Sequence, residues 1–145
     1  MHQGAASAIG ANATIGATAQ SAQIRCQSAA TLLEQATAGL AEAGRSSTPG
    51  GRFAPARLAA LRAAAAVVAT RAEPSRISSR ARARPRSVWV LLASVAPELG
   101  EWSLFFAACA GNRTVTTRDA DDMLRQAEQF LALARAAAVA GPRWP

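Results

Sequence analysis

The sequence predicts an all-α protein, an antiparallel up-and-down bundle of about five helices with a disordered N-terminal leader. Three observations carry this prediction. Apolar residues recur at helical spacing in separate blocks along the chain. Between the blocks stand residues that start and stop helices: proline suited to a first turn, glycine to an end, serine and threonine to caps. Strand signals, by contrast, are nearly absent. The most informative block spans residues 86–111, RSVWVLLASVAPELGEWSLFFAACAG, and holds every large aromatic except Phe53, Phe130 and Trp144.

Residues 1–26 read as a leader. Up to about residue 22 it is drawn from Ala, Gly, Ser, Thr, Gln and Asn with two isolated isoleucines. It has no periodic apolar face, so it is expected to be disordered or weakly helical. The only histidine, His2, lies in it and reads as a bystander. A first helix is expected over residues 27–43, with Leu32, Leu33, Ala36 and Leu40 on its buried stripe and Gly44 in the left-handed position just past its end. RSSTPGG, residues 45–51, is a loop by composition. A second helix is expected to start at Pro55, in the first-turn position, and to run to Arg71. Leu58, Leu61, Ala65 and Val68 would line its inner face, with Arg57, Arg62 and Arg71 mostly on the outer one.

Residues 73–85, EPSRISSRARARP, make a polar connection. It carries Arg76, Arg80, Arg82 and Arg84, with Arg86 just beyond. These five arginines read either as a phosphate-binding arm or as a solvated linker in an arginine-biased chain. No aromatic residue interleaves them to stack on bases, which favours the linker. Ser87 can cap the next helix, whose stripe is Trp89, Leu92 and Ala96. Pro97 ends it and opens another over residues 97–110, with Trp102, Phe105, Phe106 and Cys109 at i, i+3, i+4, i+7. Both stripes are expected to face a shared core. Glu98 and Glu101 read as solvated charges. After a turn at 111–116, Thr116 and Asp119 have capping-box spacing, and Asp119, Asp121 and Asp122 crowd a first turn where the helix dipole favours negative charge. The last helix has Met123, Ala127, Phe130, Leu131 and Ala134 on its apolar face, and Gly141-Pro142 stops it. The bundle thus spans residues 27–141, with 142–145 a short tail.

A chain of 145 residues is the size of one domain and can bury roughly two-thirds of its unfolded surface. Alanine supplies much of the 50% hydrophobic content, so the core must lean on few large side chains. All 16 basic residues are arginine, and lysine and tyrosine are missing altogether, as a high-GC genome would give. The net charge of +7 permits nucleic-acid or acidic partners, but this compositional bias weakens it as a signal. Cys26 and Cys109 have no metal-ligand or redox spacing and are expected to be buried thiols, which points to a reducing, cytoplasmic setting. No secretory signal is visible. Residues 88–109 are long enough for a membrane span, but Pro97, Glu98, Gly100 and Glu101 in the middle argue against one. There is no His/Cys cluster, phosphate-loop pattern or Ser/His/Asp arrangement, so neither a metal nor a cofactor is expected.

Four stretches, LLEQATAGLAEA, RLAALRAAAAVVA, RPRSVWVLLASVAPELGEWSLFFAACA and DADDMLRQAEQFLALA, resemble HEPN domains, the "higher eukaryote and prokaryote nucleotide-binding" helical bundles. The resemblance runs from about residue 29 to residue 138, is carried most specifically by the third stretch, and is closest to a small stand-alone branch of high-GC bacteria. It implies an antiparallel bundle of four or five helices, often a homodimer, with RNA or a protein as partner. Many such domains are RNases, including toxins of toxin–antitoxin pairs, and others are non-catalytic binding modules. The nuclease motif is an Arg, four to six residues, then a His, before the last helix. Arg113 and Arg118 occupy that neighbourhood, but no His follows either one. Without an imidazole to move a proton, attack by an RNA 2′-OH lacks its usual acid or base. The resemblance therefore implies a non-catalytic module that binds a partner protein or RNA. The alternative is a metal-independent ribonuclease with a degenerate site, using Arg113 or Arg118 with a partner other than His.

Overall fold

The computed structural model describes residues 3–72, 87–109 and 114–142. All regular structure within them is helical: α1 (Gln3–Arg45), α2 (Pro49–Arg71), α3 (Val88–Val95), a 3-10 turn (Pro97–Leu99), α4 (Gly100–Ala108) and α5 (Thr117–Ala140). The all-α bundle of about five helices is what the chain forms.

Helix α1 starts at Gln3, well before the start expected near residue 27. Its upstream part is rich in alanine and contains no proline, so nothing in the sequence breaks the helix. Among the side chains described in α1, the first buried one is Ala29. From there Ala36, Leu40 and Ala43 are buried, and Leu33 packs against them. Gly44 lies within the helix, and among the described residues only Gly141 has a positive φ. Gly44 is therefore not the left-handed terminator expected of it.

Helix α2 begins at Pro49 rather than Pro55. Thr48 is its N-cap, accepting from the Gly51 amide at 3.0 Å, and Pro49 takes the first-turn position that proline favours. Pro55 falls inside the helix, where its missing N–H costs one intrahelical bond. The buried face of α2 differs from the expected one. Of the expected face Val68 is buried, Ala65 is half-buried, and Leu58 and Leu61 are exposed; the other core positions are Ala56, Ala59, Ala60, Ala63, Ala64, Ala66 and Val67. Helix α2 packs against α1 on one side and α5 on the other. Interaxial distance follows the size of the contact side chains, so alanine on the shared faces lets the helices approach closely. Gly39 of α1 shows this approach: a Cβ there would lie 3.6 Å from the Pro55 carbonyl.

Helix α5 repeats the pattern with larger residues. Ala120, Met123, Ala127, Phe130, Ala134 and Ala137 are buried at alternating spacings of three and four, the seam of a bundle helix. Its N-terminus has the expected capping box: Thr116 Oγ1 accepts from the Asp119 amide, and Asp119 accepts from the Thr116 amide, both at 3.0 Å. Gly141, at φ 70°, ends it in a conformation that favours glycine.

Ser87 caps α3 as expected, accepting from the Trp89 amide. Trp89, Leu92 and Ala96 are all buried. Pro97 then opens the 3-10 turn that leads into α4. The second stripe is only partly inside. Phe106 is enclosed, Trp102 and Cys109 are half-buried, and Phe105 is 38% exposed, because α4 rests on the edge of the core. Trp89 stacks on Phe106 at 5.0 Å, Phe130 lies 5.2 Å from Phe106, and Trp102 closes the cluster 5.9 Å from Phe130. Offset and tilted ring pairs at these separations add to the stabilisation from burial alone. Cys26 is exposed rather than buried, and neither cysteine is in a disulfide.

Candidate functional site

Sequence reasoning nominated Arg113 and Arg118 near the last helix and the five connection arginines, Arg76, Arg80, Arg82, Arg84 and Arg86. Of these only Arg118 falls within the described residues; the other six, and His2, lie outside them. Arg118 is exposed in the first turn of α5. Beside it, Asp119 is committed to the capping box. Asp121 pairs with Arg52 at 2.5 Å, tying the start of α5 to the start of α2, and Asp122 pairs with Arg125 at 3.6 Å. The acidic group thus serves the helix start, as its spacing suggested. Among the described residues no group of three or more His, Cys, Asp or Glu side chains gathers where it could hold a metal ion.

The structure brings together a different set of charges. Arg71, expected on the outer face of α2, is 2% exposed. It occupies the last turn of α2, and its Nε donates to the Ala137 carbonyl of α5 at 3.3 Å. Its Nη1 donates to Glu98 in the 3-10 turn. Glu98 is therefore engaged with the interior rather than simply solvated. The pair joins three elements at one end of the bundle. With Arg52–Asp121 at the other end, it shows that α2 and α5 run side by side in the same direction.

A groove opens between the α1–α2 pair and the α3–α4 pair, with a volume of about 630 Å³. Its floor is aliphatic: Leu32 from α1, Leu61 and Ala65 from α2, Val88 from α3 and Ala107 from α4. The edge of Trp89 also reaches it, although that ring is 7% exposed and turned toward Phe106 and Phe130. Val88 and Ala107 share this groove while Glu98, between them in sequence, reaches Arg71 at the far end of α2. So α3 and α4 fold back on each other about Pro97. Arg57 and Arg62 flank the floor, both half-buried, and none of the described carboxylates lines the groove. Neither arginine has a hydrogen-bond or ion-pair partner among the described residues. Sequence reasoning missed this place because it put Leu61 and Ala65 in the core and the arginines in open solvent. The available signal was the alternation of Arg57, Leu58, Leu61 and Arg62 on one flank of an alanine-rich helix.

Helix α2 is long and apolar enough by composition to cross a membrane. Its alanine face, however, is buried between α1 and α5, as in the core helix of a bundle. The model of the SAV_6107-like HEPN family matches residues 41–135, from the last turn of α1 to the last third of α5. No curated protein and no solved structure matches the chain.

Proposed function

We propose, from the premise that this chain belongs to the SAV_6107-like HEPN family, that it is a non-catalytic helical module that binds a partner protein or RNA. The surroundings of Arg118 carry this reading. Its side chain projects from a capped helix start, its acidic neighbours are engaged in capping and ion pairs, and no histidine occurs in the matched span. Transfer of a proton from an RNA 2′-OH near neutral pH needs a group poised to accept it, and an arginine, always protonated, is a poor acceptor. What an exposed arginine does well is bind phosphate or carboxylate. A cytoplasmic setting, a homodimeric state and a toxin–antitoxin-like context belong to the same reading, supported by the family and by thiols not in disulfides.

The test is direct incubation of the purified protein with labelled RNA, beside an Arg113→Ala, Arg118→Ala double variant. The expected outcome is no cleavage above background for either. Cleavage by the wild type that vanishes in the double variant overturns the reading and makes the protein a ribonuclease with a degenerate site.

A further inference from the structure

We infer that the groove between the α1–α2 and α3–α4 pairs receives an acidic amphipathic helix of a partner protein, its apolar stripe on the aliphatic floor and its carboxylates on Arg57 and Arg62. This rests on the binding-module reading and names the partner's chemistry. Two features of the groove select the occupant. The first is shape. At about 630 Å³ it has the volume of a small-molecule pocket, but it is an open groove rather than an enclosed cavity. Pockets for small ligands bury about 70–90% of the ligand surface, which an open groove between helices does not do. An amphipathic helix lying in such a groove buries one face and leaves the other in water.

The second feature is charge. Arg57 and Arg62 are half-buried, lack partners among the described residues, and stand where none of the described carboxylates lines the wall. They are five residues apart on α2, about 7.5 Å along its axis and about 140° apart round it, so they stand on opposite borders of the face that carries Leu61 and Ala65. Carboxylates on both sides of a docked helix's apolar stripe suit that placement, and guanidinium groups pair with carboxylates through two parallel hydrogen bonds. Nucleic acid fits less well. Sequence-tolerant binding of single strands uses exposed aromatic faces for base stacking, whereas Trp89 is spent on the core and the rest of the floor is aliphatic.

Three labelled probes, titrated against the full chain by fluorescence anisotropy, test this. One is a helical peptide of about five turns with a leucine stripe flanked by glutamates. The second is its twin with lysine for every glutamate, and the third is a short single-stranded RNA. The glutamate peptide is expected to bind at least about tenfold tighter than the lysine twin. Arg57→Glu with Arg62→Glu should reverse that preference, and Ala65→Trp, which fills the groove, should abolish binding of both peptides. Helical circular dichroism checks that each variant folds. Should the charge-reversed protein not fold, Arg57→Gln with Arg62→Gln takes its place and is expected to erase the preference. Equal affinity for the two peptides, no binding of either, or affinity unmoved by these variants overturns the proposal. RNA binding that depends on Arg57 and Arg62, without peptide binding, also overturns it but leaves the binding-module reading standing. RNA cleavage removes that broader reading instead.

Discussion

Arg71 illustrates what a single side chain decides in this protein. Its guanidinium is inside, its α2 neighbours are alanine and valine, and its partners come from α5 and the 3-10 turn. Glu98, with 38% of its side chain exposed, still reaches water. The two ends of the pair should therefore respond differently to truncation. Glu98→Ala strands an enclosed cation and is expected to cost about 2–4 kcal/mol, the lower part of the range reflecting the solvent at Glu98. Arg71→Met removes the buried charge, keeps much of the volume, and lets Glu98 rehydrate, so it should cost less. Urea denaturation of both variants checks the order, and an Arg71→Met protein less stable than Glu98→Ala would show that hydrogen bonding to Ala137 dominates. Arg71 stands on the same face of α2 as the buried Ala60, Ala64 and Val67. A reading that takes Leu58 and Leu61 as the inner face turns it outward, and its partner is a carboxylate 27 residues away.

Single elements are legible in the sequence where caps and large apolar residues agree, as in α5 and α3. Thr116, Asp119, Met123, Phe130 and Gly141 each do in the structure what their spacing announced. Helix α2 is harder to read, because residue size is a poor guide to burial there. The packed faces of α2 are mostly alanine, with Val67, Val68 and Arg71 toward its end, and the larger Leu58 and Leu61 stand on its open side. The groove floor draws on that open side, which is why the candidate site is hidden from a reading that places Leu61 in the core. Gly44 gives a test at this scale. In a left-handed terminator, alanine would be strained. Inside the last turn of α1, with nothing within 4 Å of where a methyl group would stand, it is unhindered. Gly44→Ala is therefore expected to stabilise the protein by a few tenths to about 1 kcal/mol, read as a raised melting temperature. A fall in melting temperature would return Gly44 to the left-handed role.

For the whole molecule, helix count, class and family follow from blocks of local pattern, each readable by itself. The groove and the Arg71 pair do not, since each joins segments far apart in the chain and only packing brings them together. Charge is the remaining whole-molecule property, a net +7 with every positive side chain an arginine. Five of these arginines, Arg76, Arg80, Arg82, Arg84 and Arg86, lie outside the described residues, so their role rests on sequence and is tested in solution. If all five met phosphates, up to about five counterions would be released, and log K against log[salt] would fall with a slope near about −4.5 on duplex DNA or about −3.5 on single strands. Fixing a polar arm costs roughly 1–2 kcal/mol of backbone entropy per residue, and no aromatic side chain in it offers stacking to offset that cost. Full engagement is therefore not expected. Nucleic-acid binding should be weak and sequence-independent, in the range of about 10⁻⁴ to 10⁻⁶ M at physiological salt, with a slope well short of those limits. Glutamine at the five positions should leave the helical circular dichroism unchanged and remove that binding, while affinity for an acidic helix in the groove, held by Arg57 and Arg62, changes far less. Sub-micromolar nucleic-acid affinity that survives the glutamine replacements would instead put a phosphate-binding surface on the helices themselves.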